Sequence, residues 1–270
     1  MSDGTLSPTD LVRQAAAAGV DVLGLTDHDS SAGWDAAAAA ASQHGVSLVR
    51  GIEISCASNG ISVHLLSYLH DPEAPGLLAE MDATRESRSS RAQRMTERLA
   101  RDYPLTWEDV LEQVHEGATI GRPHLADALV ARGVFGNRDE AFATVLASGS
   151  RYHVSHYAPD PVEAIRLVRA AGGVPVFAHP LAVKRGRVVG DDVIEAMVAA
   201  GLAGLEVDHR DHDDDARRRL REIAASQGLL VTGSSDYHGT GKQNRLGEHS
   251  TSPEQLERIV EAGKLELVRA

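Results

Sequence analysis

The 270-residue chain has one cysteine, Cys56, and few aromatic side chains: three Phe, two Trp and five Tyr. A single cysteine excludes an internal disulfide framework, and it reads as a small buried hydrophobe rather than a nucleophile. Scarce aromatics argue against a long platform for stacking nucleobases. No apolar run approaches the roughly 18 residues that a membrane crossing needs. The first residues lack the basic region and apolar stretch of a signal peptide. These absences lead to an expectation of a cytoplasmic globular protein with no membrane and no obligate protein partner. Positive charge is also short, with 27 Lys and Arg against 39 Asp and Glu, a formal net charge of −12. A bare chain this acidic repels polyanions unless bound divalent metals reverse the balance locally.

Histidine is abundant, at 13 residues. It is the commonest metal ligand and the usual acid–base group near neutral pH. Short β-branched runs at Val20–Thr26, Val46–Ile54, Ile61–Leu69, Val174–Ala178, Gly204–Val207 and Leu229–Gly233 read as buried strands. Thr9–Ala18, Ser31–His44, Pro161–Ala171, Asp191–Ala200, Asp213–Ser226 and Pro253–Ala262 show helical apolar spacing. Ser7 and Pro8 make a good start for the first helix. Such alternation implies a parallel α/β sheet or barrel with helices outside. From about Asp71 to His156 only helix is legible: Pro75–Arg101, Thr106–Glu116 with Gly117 as its stop, Pro123–Arg132 and Arg138–Ala147. The expected organisation is a barrel domain built from residues 1–70 and 157–270, interrupted by a helical insert over 71–156.

Carboxylates and imidazoles fall at the strand ends. Asp27, His28 and Asp29 close the first strand, Glu53 lies in the second and His64 in the third. His179 follows the fourth strand, Glu206 and Asp208 the fifth, and Asp236 and His238 the sixth. In parallel α/β folds the carboxyl ends of strands meet on one face, where ligands bind. Alone, Asp29 reads as a turn former and His64 as a satisfied core histidine. Together, a His/Asp/Glu set without cysteine suits Zn, Mn or Fe, and clustered metals activate water against a phosphate ester.

The ordered series SDGT, LTDHD, GIEIS, VHLLSY, GRPH, AHP and SSDYHG resembles the PHP (polymerase and histidinol phosphatase) domains over nearly the whole chain. The likeness is greatest to a branch of nucleotide phosphatases and 5′→3′ exoribonucleases. The resemblance implies a distorted seven-stranded βα barrel with up to three divalent metals, Mn, Fe or Zn. It implies that Asp3, His28 and His238 hold one metal, that Glu53 bridges two others with His64 and His179 on one of them, and that Asp236 holds the remaining one. Catalysis would rest on His28, Glu53, His179, Asp236 and His238. Members of the family also carry a His-x-His pair on a first strand ahead of the SDG turn, and no such pair precedes Asp3 here. The first strand is therefore expected to be missing, with the native start about 10–15 residues upstream, one short strand plus a turn. Without that pair, two metals are expected rather than three.

On the substrate side, Arg122 and His124 of GRPH are read as phosphate contacts at a helix start. Lys184 and Arg185 are either phosphate contacts or part of a solvated loop, and His209 is a candidate beside the site, as a proton donor. Arg85, Arg88, Arg91, Arg94, Arg98 and Arg101 form a basic stripe, either solvated and paired with Glu86 and Glu97 or guiding an oligonucleotide backbone. The Asp213–Asp215 and Arg217–Arg219 runs read as ordinary helix-end charges. The expected function is a metal-dependent phosphoesterase acting on a 3′,5′-bisphosphate nucleotide, on the 5′ end of short RNA, or on both. A non-catalytic module that holds nucleotide and metal, and a phosphatase of histidinol-phosphate type, are the alternatives.

Overall fold

The β-branched runs become six strands in the computed structural model, which describes residues 3–114, 118–147 and 149–270. They are β1 (Val22–His28), β2 (Ser47–Ser58), β3 (Ile61–Tyr68), β4 (Val174–Phe177), β5 (Gly204–Asp208) and β6 (Leu230–Gly233). One sheet holds them in sequential order and curls into a half-barrel. Outside it pack α1 (Pro8–Ala17), α2 (Trp34–His44), α7 (Pro161–Ala170), α8 (Asp191–Ala199) and α9 (Asp214–Gln227), whose apolar faces join the main core. Ser7 caps α1 by accepting from the Asp10 backbone N–H at 3.1 Å, with Pro8 at the first helical position. α10 (Pro253–Ala262) packs with Val49, Leu69, Val174 and Leu230 in a smaller cluster.

The sheet departs from the parallel expectation at one strand. β1 and β2 are parallel, and so are β4, β5 and β6, but β3 runs antiparallel to both neighbours. The cause is Asn59-Gly60, which joins β2 to β3 with both residues at positive φ, 49° and 73°. That pair is a two-residue hairpin signal, and it leaves no room for a crossover helix. The reversal matters for the site. His64 lies in the amino-terminal half of β3, opposite Ser55, and so reaches the same end of the sheet as the carboxyl ends of its neighbours.

The sheet does not close. Among the described residues no strand joins β1 to β6, and a cavity of about 690 Å³ opens beside them. Its walls include Leu23, Leu25, Leu246 and Leu256, and it runs up to His28, His179 and Asp236. Six strands curled into a half-barrel are consistent with the expected βα barrel.

Between β3 and α7 lie α3 (Pro75–Leu99), α4 (Trp107–Leu111), α5 (Arg122–Ala131) and α6 (Arg138–Ala143). The second and fourth are shorter than their apolar spacing suggests, and the Gly117 stop lies outside the described residues. Met95, Leu99, Leu125, Leu129 and Leu146 centre an apolar cluster of their own, separate from the barrel core. The amino-terminal half of α3 instead packs Leu77 and Met81 onto the barrel core.

Candidate metal centre

Five non-glycine residues among those described, all just beyond strands, adopt the left-handed backbone region that such side chains rarely enter; apart from Asn59 and Leu69 they border one site: Asp29 after β1 (φ 52°), His179 after β4 (φ 33°) and Asp236 after β6 (φ 46°). Such conformations are costly and gather at functional sites. Around them the side chains form two adjoining nests.

Glu53 centres the first nest. Its carboxylate lies 2.7 Å from His64 Nδ1, 3.3 Å from His179 Nε2 and 3.8 Å from His28 Nδ1. Register explains the meeting: Glu53 pairs with His28 across the β1–β2 ladder, and the Ala178 N–H donates to the His64 carbonyl at 3.0 Å. The His28 and His64 rings sit edge to face at 4.9 Å, and His64 and His179 at 5.1 Å.

Asp236 and His238 centre the second nest. Asp3 approaches His238 Nε2 at 3.3 Å, and His238 Nδ1 bonds the Asp236 carbonyl at 2.8 Å. Arg185 donates to Asp236 Oδ2 at 2.5 Å and to Asp211 at 2.7 Å, and Lys242 donates to the same Asp236 oxygen at 3.0 Å. His209 is fully buried, with Nε2 3.7 Å from Asp236 and its ring 5.4 Å from His179. His212 steadies the loop behind His179 through Nε2, which accepts from the Leu181 N–H at 3.2 Å.

The donor set fits divalent metals. The ligand atoms of His28, Glu53 and His64 all lie within 4.8 Å of one another. The Nδ1 atoms of His28 and His64 are buried with no hydrogen bond assigned to them, and both face Glu53, His64 Nδ1 at 2.7 Å. Buried polar atoms of this kind need a partner, and lone pairs aimed at a shared carboxylate suit a cation. Burial keeps His28 and His179 neutral below their ordinary range, His179 down to about 4, with Glu53 opposing. Burial pushes Glu53 up, but His28, His64 and His179 hold it well below the usual carboxylate range. Burial acts likewise on Asp3 and Asp236, and neighbouring His238, His209 and Lys242 win. In the first nest, neutral imidazoles beside an ionised carboxylate are the protonation states that metal binding needs; in the second, against burial, Asp3 and Asp236 push His238 up.

Glu206, behind the site, accepts from the His179 N–H at 2.9 Å and is pushed up to about 7 by burial, with Asp236 and Glu53 adding to the effect. Glu206 was legible as a strand-end carboxylate. Lys242 had no signal in the sequence, because a single loop lysine after SSDYHG has no period or motif.

The substrate-side residues divide. Arg185 reaches the second nest, whereas Lys184 is exposed on the short turn Val183–Arg185. His124 Nδ1 accepts from the Gly121 N–H at 3.1 Å and so caps α5. Arg122 donates to the Leu146 carbonyl at 3.0 Å and covers the Phe142 ring. The arginine stripe is tied down in a way that neither reading anticipated. Arg91, Arg94 and Arg98 donate to the carbonyls of Val154, Ser155 and His153, Arg85 pairs with Asp82, and Arg88 with Asp29. Arg91 remains short of negative charge, with burial and then Arg122 and Arg88 pushing it down to about 9. His156 is held near 4 by burial and the same arginines, against Asp29.

The PHP domain profile matches residues 1–142. The chain belongs to the PHP domain family. A 3′,5′-nucleoside bisphosphate phosphatase of Chromobacterium violaceum is 33% identical over 92% of this chain and 88% of its own. A 5′-3′ exoribonuclease of Haemophilus influenzae is 34% identical over 88% of this chain and 86% of its own. A candidate metal-dependent phosphoesterase of Bifidobacterium adolescentis superposes with a TM-score of 0.95 at 45% identity, covering 97% of this chain and 93% of that one. This PHP domain thus shares its full architecture with that structure, and the two nests lie where its strand ends converge. No helix among the described residues is long and apolar enough to cross a membrane.

Proposed function

We propose that this PHP domain is a metal-dependent phosphoesterase that removes phosphate from 3′,5′-bisphosphate nucleotides or trims short RNA from its 5′ end, as its named relatives do. The observation that carries the reading is Glu53, one buried carboxylate faced by three imidazoles, with the Asp236 nest alongside. His28, Glu53, His64 and His179 would hold one part of a cluster of Mn, Fe or Zn ions, and Asp3, Asp236 and His238 the other. When bound, the metals supply Lewis-acid activation of water and of a phosphoryl oxygen.

The protein's own side chains do the rest. Arg185 and Lys242 bring two positive charges to the phosphoryl group, with Asp211 fixing the guanidinium of Arg185. Arg88, paired with Asp29, is joined by Arg91 and Arg122, which repel it and one another. A second phosphate of the substrate would meet this positive charge. Glu206, pushed up to about 7, holds a proton part of the time at neutral pH next to the His179 backbone. A lone, buried Cys56 accords with a cytoplasmic enzyme.

The test is phosphate release from adenosine 3′,5′-bisphosphate in added Mn²⁺, run beside histidinol phosphate. Turnover of the nucleotide that is lost in Glu53→Gln supports the reading. Nucleotide that binds without turnover refutes it in favour of a holding module, and preference for histidinol phosphate refutes the nucleotide assignment.

A further inference from the structure

Asp29 is a fully buried carboxylate one residue beyond His28, and it is not among the metal-holding residues named above. Its Oδ1 accepts from the Ser55 N–H at 2.8 Å, and its Oδ2 accepts from Ser55 Oγ at 2.8 Å and from Arg88 Nη1 at 2.9 Å. Arg88 Nη1 also donates to Ser55 Oγ at 2.6 Å, closing a triangle of side chains. The backbone is drawn into the same knot. The Asp29 N–H donates to the Glu53 carbonyl at 3.1 Å, Arg85 donates to the Asp29 carbonyl at 2.8 Å, and Thr119 Oγ1 donates to the His28 carbonyl at 2.7 Å. Arg88 Nε reaches the Ile120 carbonyl at 3.3 Å. A Cβ on Gly121 would come within 2.9 Å of Arg88 Nη2, so the glycine leaves the guanidinium its place. The knot therefore joins three things: the His28 turn, the Glu53–Ser55 stretch of β2, and the helical insert through α3 and residues 119–121.

We propose that Asp29, locked by Ser55 and Arg88, is the positioning residue that sets His28 against Glu53 and ties this geometry to the helical insert. The proposal rests on the metal-centre reading above. Asp29 touches neither metal nor substrate. It acts through the φ 52° turn that aims His28, and a left-handed aspartate persists only where its surroundings over-determine it. The residues that support a metal's direct ligands are the usual site of such control.

Mn²⁺ binding by calorimetry and phosphate release at saturating Mn²⁺ test the proposal on the whole chain, at a temperature well below melting. Asp29→Asn keeps the shape and the bond from the Ser55 N–H but loses the ion pair. It is expected to weaken Mn²⁺ binding by roughly 10- to 100-fold and to lower kcat. Ser55→Ala removes only the hydroxyl, keeps the backbone bond, and is expected to shift both readouts in the same direction by less. Arg88→Lys restores a cation and is expected to retain more affinity than Arg88→Gln. If Asp29→Asn does not fold, Ser55→Ala decides. A lower melting temperature with Mn²⁺ affinity and kcat within about twofold of wild type overturns the proposal, because a purely structural knot behaves that way. Wild-type protein that takes up no Mn²⁺, Fe²⁺ or Zn²⁺ overturns the metal-centre reading itself, and this role with it.

Discussion

Acidifying the metal-free protein from pH 7 to 4.5 should destabilise it by an amount set mainly by three histidines. His70 is 2% exposed, with Nδ1 2.9 Å from Ser67 Oγ and its ring 5.1 Å from Trp34. Burial pushes it, like His156 and His179, down to about 4 from an ordinary 6.5. The unfolded chain therefore takes up protons first as the pH falls. Stability is whole above 6.5 and is lost between 6.5 and about 4. Each histidine contributes a loss of about 2–3 kcal/mol over this range, from a shift of roughly two to three units.

Glu206 works in the opposite direction. Its folded value, about 7, lies above its ordinary 4.5, so the folded protein binds that proton first and gains about 2–3 kcal/mol on the same acidification. Against the three histidines held near 4, the net loss in wild type is then that of about two. His70→Gln, far from the metal centre, removes one of these losses. Urea unfolding in chelator at pH 7 and 4.5, followed by fluorescence of Trp34 beside His70, measures both proteins. The variant should lose about half as much stability as wild type between the two pH values. A pH effect in His70→Gln as large as in wild type refutes the reasoning.

Glu53→Gln should lower Mn²⁺ affinity by more than the roughly 10- to 100-fold that a supporting residue costs, read by calorimetry, because it removes the charge that three imidazoles share. Leu129→Ala, fully buried in the insert's own apolar cluster, should cost about 2–5 kcal/mol. If residues 71–156 form a separate unit, fluorescence of Trp107 will report that loss while barrel unfolding near Trp34 is unchanged. Arg91→Gln should raise KM for a bisphosphate nucleotide and flatten its salt dependence, with little effect on a substrate bearing one phosphate.

Strand ends could be read from the sequence because burial and periodicity are local, and the ligand types sat one after another at those ends. Glu53, His179 and Asp236 needed only the rule that parallel strands share a functional edge. His64 reached that edge by another route. The rule would have put it on the wrong side, and the Asn59-Gly60 hairpin, legible as a turn pair but not weighed, turned β3 around and returned it to the site. The insert was legible as helices but not as contacts. The arginine stripe had the period of a solvated face, yet beyond the local Arg85–Asp82 pair its partners include carbonyls of residues 153–155 and a carboxylate on β1's end, tens of residues away.

Asp29 shows most sharply where local reasoning stops. As a lone aspartate after a strand it has the chemistry of a turn former, and its left-handed φ agrees with that. What turns a common turn residue into a buried anchor is the arrival of Arg88 from 59 residues downstream, and no local pattern carries that pairing. Yet the pairing also explains the stripe's spacing. Arg85 and Arg88 lie one helical turn apart on α3 and grasp the Asp29 carbonyl and carboxylate, while Arg91 begins the second half of the same face and turns to the insert. One helix face thus serves the barrel with its first turns and the insert with its later ones. A change in the insert's attitude must pass through Arg88 to reach His28.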